Sequence, residues 1–226
     1  MKRRQIIKIN KEGREKRMLV TRQSKRSVRQ RVLFVIVIGV ALCKACVTGS
    51  KDATMHTKDD IHKRIVSAMK TYFGEDQRRI DHTLKILDYA EQILAQEEAD
   101  EVVVRVAAVL HDIGIPEAER KHGSSAGRYQ EIEGPPIARK IAYEAGLDEK
   151  RIEHVAEIVA NHHSARSIDT NEFRIVWDAD WLVNMAPEAR KTEPERLKER
   201  IERIFKTETG KKIAYQLFIT NQKGGE

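Results

Sequence analysis

A histidine and an aspartate, His111-Asp112, close a nearly unbroken apolar run, Val102-Val103-Val104-Arg105-Val106-Ala107-Ala108-Val109-Leu110. Such a run belongs in a protein interior. An ionised carboxylate there is costly unless something pairs with it. A divalent metal is the strongest candidate partner, because imidazole and carboxylate are both common ligands. A lone His-Asp would say little. Here other ligand-type residues flank it: His82 upstream, then Glu133, His162, His163 and the triplet Asp178-Ala179-Asp180 downstream. The chemistry that such a set supports is metal-assisted hydrolysis. The ion lowers the pKa of a water, and Asp112 orients or deprotonates it.

The elements that must position these residues read as helices. Few Gly or Pro residues interrupt the periodic segments from Asp59 onward, and no alternating runs with hairpin turns occur. The pattern predicts helices over Ile61 to Tyr72, Gln77 to Gln96, Asp100 to His111, Glu149 to His163, Phe173 to Met185 and Glu195 to Phe205. A last helix is expected from Lys212 to Ile219. By propensity the valine run could be a strand, but its length, its alanines and its acidic start favour helix, with Asp100 as N-cap. Gly114 and Pro116 stop that helix. Glu119 to Glu133 reads as a polar loop, and Gly134-Pro135-Pro136 as the start of another helix.

Helical geometry sorts the candidates. Neighbours on a helix point about 100° apart, so His111 and Asp112 reach one ion only near a helix end, which Gly114 supplies. Asp178 and Asp180 project about 200° apart, so one of them faces the site. His162 and His163 continue the face of Ile152, Val155 and Val159, which makes them interior residues. Glu133 is read two ways, as a ligand of a second ion or as an acidic cap of its own helix. His56, His62 and His154 read as surface residues.

The order of these residues resembles the HD metal-dependent phosphohydrolase superfamily. Its pattern is a His, an adjacent His-Asp and a distant Asp, all on helices. The matching positions are His82 in Arg79-Ile80-Asp81-His82-Thr83-Leu84, the pair in Leu110-His111-Asp112-Ile113-Gly114, and Asp180 in Asp178-Ala179-Asp180-Trp181-Leu182. The likeness spans roughly Asp59 to Phe205. It implies an all-α HD-domain bundle in which His82, His111, Asp112 and Asp180 bind a metal and Asp112 is catalytic. Asp180 is preferred over Asp178 because it follows Ala179 and precedes Trp181-Leu182. In binuclear members, including the HD-GYP phosphodiesterases, a His-His like His162-His163 binds a second metal. The diadenosine-tetraphosphate hydrolase branch has a histidine where this chain has Glu133.

Two other positions depart from the family. Many binuclear relatives read His-Asp-Ile-Gly-Lys, and Ile115 stands in place of that phosphate-binding Lys. Trp181 replaces a basic residue. Arg79, Lys121 or Arg128 would have to supply the missing charge, with His122, Ser124 and Ser125 at the pocket mouth. The resemblance implies hydrolysis of a phosphomonoester or phosphodiester, with a nucleotide as the small-molecule partner. One or two divalent ions are expected, iron or manganese ahead of magnesium, cobalt or nickel. The rival reading is a metal- or nucleotide-binding regulatory module with little or no catalysis.

Charge divides the chain. Of 42 basic and 35 acidic residues, positions 1 to 54 hold 15 and 3, leaving 27 against 32 for the rest. The main domain therefore offers no basic field for nucleic acid. Domain limits follow: a basic extension over 1–54, an HD domain over 55–215 and a polar tail over 216–226. The extension holds an apolar block from Val32 to Cys43. It is too short for an ordinary membrane span and follows too long a basic stretch for a secretory signal. A start at Met55 is the preferred reading, with a membrane anchor second, so the expected location is cytoplasmic. Cys43 and Cys46 lack the second pair that a zinc site would want.

Overall fold

A computed structural model describes residues 57–220, and all regular structure among them is helical. The basic extension, its apolar block, Cys43, Cys46, Met55, His56 and the last residues of the tail lie outside the described residues. No described helix is long and apolar enough to cross a membrane.

The order is α1 (Lys58–Phe73), α2 (Gln77–Leu94), α3 (Glu101–Leu110), α4 (Ile115–His122), α5 (Gly127–Ala145), α6 (Glu149–Val159), α7 (Asn171–Asn184), the single turn α8 (Ala186–Ala189), α9 (Pro194–Ile204) and α10 (Glu208–Tyr215). A π turn at Gln216–Thr220 follows. Phe218, within the stretch expected to be a polar tail, is buried.

The valine run is α3, the central element. Asp100 caps it by accepting from the N–H groups of Val102 and Val103. Every residue of α3 except Glu101 and Arg105 is buried. It packs against α1, α2, α6 and α7. Each fully buried valine or leucine contributes roughly 1.5–3 kcal/mol, which outweighs the few tenths by which β-branching disfavours helix. The same packing holds the C-terminal end of α3, where His111 and Asp112 sit, at the centre of the bundle.

Between Gly114 and Glu133 the structure corrects the expected loop. Ile115–His122 is a helix with Pro116 in its first turn, ended by Gly123 in the left-handed region (φ 63). Proline is tolerated there because first-turn N–H groups have no intrahelical partner. After a four-residue connection α5 begins at Gly127, and Pro135-Pro136 lie inside it rather than at its start. Proline inside a helix removes a hydrogen bond and costs ~3 kcal/mol in an isolated helix. Here α5 is held from outside, by extensive packing on α4 and α6.

The C-terminal helices are tied to the bundle through Asp178. Its carboxylate accepts from the backbone N–H groups of Lys206 and Thr207 and from the Thr207 hydroxyl, each at 2.8 Å. Asp178 is wholly buried, so all three donors depend on it. Asp178→Ala strands them and is expected to cost about 3 kcal/mol, seen as a lower Tm with bound metal unchanged. A melt equal to the wild type would show that the tie is dispensable.

Candidate metal centre

Four elements converge at one end of α3. The second turn of α2 brings His82, the end of α3 brings His111 and Asp112, the turn after α6 brings His162 and His163, and α7 brings Asp180. The pairings α2 with α7, α2 with α3 and α3 with α6 set their approach.

Two triads of side-chain atoms lie within 4.8 Å of one another, His82–His111–Asp112 and Asp112–His162–His163. Asp112 belongs to both. Its Oδ2 lies 3.7 Å from His82 Nε2 and 3.4 Å from His111 Nε2, while its Oδ1 lies 3.5 Å from His162 Nε2. One carboxylate oxygen thus faces each group. Asp180 Oδ1 lies 3.8 Å from His111 Nε2 and 4.0 Å from His82 Nε2, on the side of the first triad.

These separations are too long for good hydrogen bonds. They are close to what two ligands show when each lies about 2.1 Å from a shared ion at tetrahedral or octahedral angles. The histidine tautomers agree. His111 Nδ1 bonds the Ala108 carbonyl at 2.8 Å and His162 Nδ1 the Val159 carbonyl at 2.6 Å. A carbonyl only accepts, so both Nδ1 atoms carry the proton. In the neutral rings that leaves a lone pair on each Nε2, and both Nε2 atoms are buried without a partner. Carbonyl-anchored imidazoles with inward lone pairs are a common arrangement at metal centres. The residues therefore fit a divalent ion.

Electrostatics point the same way. Burial disfavours charge on His111, yet Asp112 and Asp180 overcome it and hold the imidazolium up to about 9. Burial also opposes ionisation of Asp112, but His111 and His162 keep its carboxyl well below the usual range. Burial raises the carboxyl of Asp180. It lowers His82, helped by the charge of His111, and pushes His163 down to about 4, helped by His162. His82 and His163 are therefore neutral imidazoles at physiological pH. The proton on His111 occupies the place in the charge pattern that a cation would take.

Glu133 belongs to neither triad. Its oxygens bond Lys121 Nζ at 2.6 Å and His122 Nε2 at 2.9 Å. It stands in the second turn of α5, so it is not an N-terminal cap either. The Pro-Pro pair had suggested a helix start there, whereas α5 begins seven residues after Arg120 at Gly127. Gly127 approaches His163 so closely that a Cβ on it would lie 2.6 Å from the imidazole. Glu131, two residues before Glu133, accepts the backbone N–H groups of His163 and Ser164. These two α5 positions, rather than Glu133, support the second triad. Glu133→Gln is expected to leave the bound-metal count unchanged by elemental analysis. Loss of an ion would restore Glu133 to the ligand set.

A cleft of ≈360 Å³ opens onto the first triad and is lined by Arg78, Arg79, His82, Asp112, Ile115, Glu119, Ser125, Gln130 and Asn184. Of the residues expected to bind substrate, Arg79 lines it but is paired with Asp76 at 3.1 Å and Glu119 at 2.7 Å. Lys121 and His122 are engaged by Glu133 and do not line it. Asn184, one helical turn beyond Asp180, donates to Asp180 Oδ1 at 2.6 Å. The sequence reading missed Arg78, Gln130 and Asn184. The i,i+4 spacing of Asp180 and Asn184 was the one signal that could have found any of them.

The described residues form a helical bundle with a two-lobed, partly buried His/Asp cluster at the end of the central helix, an arrangement consistent with metal binding. Residues 79–185 match the HD domain family. That stretch is an HD domain, and it spans just under half of the chain. Two solved structures are similar. A predicted HD superfamily hydrolase from an uncultured Thermotogales bacterium is 25% identical, covers 72% of this chain and 87% of its own, and superposes with a TM-score of 0.54. An HD-superfamily hydrolase from Bacillus thuringiensis is 17% identical, covers 74% and 96%, and has a TM-score of 0.52, a likeness of fold alone. No curated protein matches the chain.

Proposed function

We propose that this chain is a metal-dependent phosphohydrolase acting on a phosphomonoester or phosphodiester. The observation that carries this reading is the placement of Asp112 between two histidine groups, with one oxygen toward each. His82, His111, Asp112 and Asp180 are the proposed ligands of a first ion. Asp112, His162 and His163 are those of a second. Divalent ions in that cluster would offset charge on the phosphoryl oxygens and acidify a water. The mixed His and carboxylate donors suit iron or manganese.

The chain's own residues have separate tasks. Asp112 would orient the attacking water, and its depressed carboxyl pKa keeps it an ionised acceptor for that task at neutral pH. The Ala108 and Val159 carbonyls fix the rings of His111 and His162. Asn184 fixes the carboxylate of Asp180. The family resemblance supports a nucleotide as the substrate.

The test joins metal analysis to a phosphate-release screen over nucleotides and simple esters. Wild type is expected to hold about two ions and to release phosphate, and His163→Ala about one ion with much less activity. Ile115 lines the cleft where relatives place a phosphate-binding lysine, which favours the rival regulatory reading. Metal content without turnover of any ester would establish that rival.

A further inference from the structure

The cleft holds a polar group that the proposed metal ligands do not use. Gln130 is 6% exposed. Its Nε2 donates to the Ser125 carbonyl at 2.7 Å. Because that carbonyl can only accept, the orientation of the amide is fixed, with Oε1 on the other side. Oε1 is buried and has no partner, and Gln130 lines the cleft. The backbone beneath it cannot retreat, since Gly114 presses on the Gln130 carbonyl too closely for even a Cβ. An orphaned buried acceptor is a standing cost that a ligand donor removes.

Arg78 is the second unused group. It is exposed at the same cleft and makes no ion pair among the described residues, whereas Arg79 beside it is paired with Asp76 and Glu119. A free guanidinium matches a phosphate in charge and in fork geometry. The volume, ≈360 Å³, is at the low end of small-molecule sites and suits a phosphoryl group with a body the size of a sugar or polyol.

We propose that the cleft selects phosphate esters whose alcohol portion carries a further hydroxyl, Gln130 Oε1 accepting from that hydroxyl and Arg78 holding the phosphate. This rests on the phosphohydrolase reading and narrows its substrate class to polyol and sugar phosphates, the ribose of a nucleotide included. An alkyl ester of equal size would bury the same surface and leave Oε1 orphaned. Sites built to pair a substrate hydroxyl discriminate strongly against analogues that lack it.

The experiment is calorimetric binding of two non-hydrolysable probes, 3,4-dihydroxybutylphosphonate and n-butylphosphonate, to manganese-loaded full-length protein. The dihydroxy probe is expected to bind roughly tenfold tighter. Gln130→Met keeps length and volume and is expected to bring the ratio of the two affinities toward one. Arg78→Met is expected to weaken both probes alike. Bound manganese identifies any variant that has lost its fold. Equal affinity of the two probes for the wild type overturns the proposal, as does failure of both to bind. Probe preference without turnover of any ester would overturn the hydrolase reading and leave the recognition intact, so the two failures are distinguishable.

Discussion

Asp112→Ala is expected to empty both histidine groups and abolish phosphate release. No other residue belongs to both triads. Removing a partner that merely supports a metal ligand costs roughly 10–100-fold in affinity or activity. Removing a carboxylate shared by both groups is expected to exceed that. Without metal the variant is also expected to lose stability, because His111 and His162 outweigh burial and hold the Asp112 carboxyl well below its usual range in the fold. The sharpest readout is therefore the rise in Tm on adding manganese, which reflects binding to the folded state. Wild type is expected to show it and Asp112→Ala to lose it, each measured against its own apo melt. An alanine variant that still binds two ions would show that the groups are independent sites and that Asp112 is not their bridge.

The sequence made the core and the first triad legible for a physical reason. A carboxylate at the end of an apolar run has few stable fates, and the spacing from His82 to His111 crosses one helix boundary that Asp100 marks. The periodicity of Ile152, Val155 and Val159 likewise placed His162 in the interior, but His163, expected there too, is exposed because it lies in the turn after α6, where the helical face no longer continues. The choice between Asp178 and Asp180 followed from helical geometry plus the family pattern. Even so, the job of Asp178 was invisible, since it depends on Lys206 and Thr207 nearly thirty residues away.

The segment from Gly114 to Glu133 was misread because its signals are local and its structure is not. Gly, Pro and Ser suggest a loop when read singly. In the fold, Pro116 starts α4, Gly123 ends it, and α5 runs through two prolines that packing restrains. Once α5 is extended back to Gly127, Glu133 moves from a helix start into a pairing with Lys121 and His122. No pattern in a single sequence reports which cations are already paired. That is why the pairing of Arg79 with Asp76 and Glu119, and of Lys121 with Glu117 and Glu133, was not legible.

Gly114→Ala is expected to be among the most destabilising single-methyl additions in the chain. Gly114 is in the right-handed region (φ −74), so conformational freedom is not what it supplies. What it supplies is space. A Cβ there would lie 2.7 Å from the Gln130 carbonyl oxygen, 2.7 Å from Gly134 N and 2.9 Å from Gly134 Cα. All three are backbone atoms of α5, which cannot swing aside as a side chain does. Gly134 in turn would meet Val159 at 2.7 Å if it carried a Cβ, so α5 has little room to retreat toward α6. Overpacking typically costs 1–3 kcal/mol where side chains can adjust. With backbone on every side, about 3 kcal/mol or more is expected, a fall in Tm of roughly 6–12 °C for a domain of this size. Because Gly114 follows Asp112 by two residues and presses on Gln130, the same shift should loosen the metal cluster and the cleft together. Gly123→Ala is the control. Gly123 has a left-handed φ of 63 and nothing within 4 Å of its Cβ position, so its cost is conformational and about 1 kcal/mol. The expected order is therefore a large loss of stability and metal at Gly114 and a small loss of stability alone at Gly123. Equal melts for the two variants would show that α4 and α5 can part without penalty, and that the contact does not hold the site together.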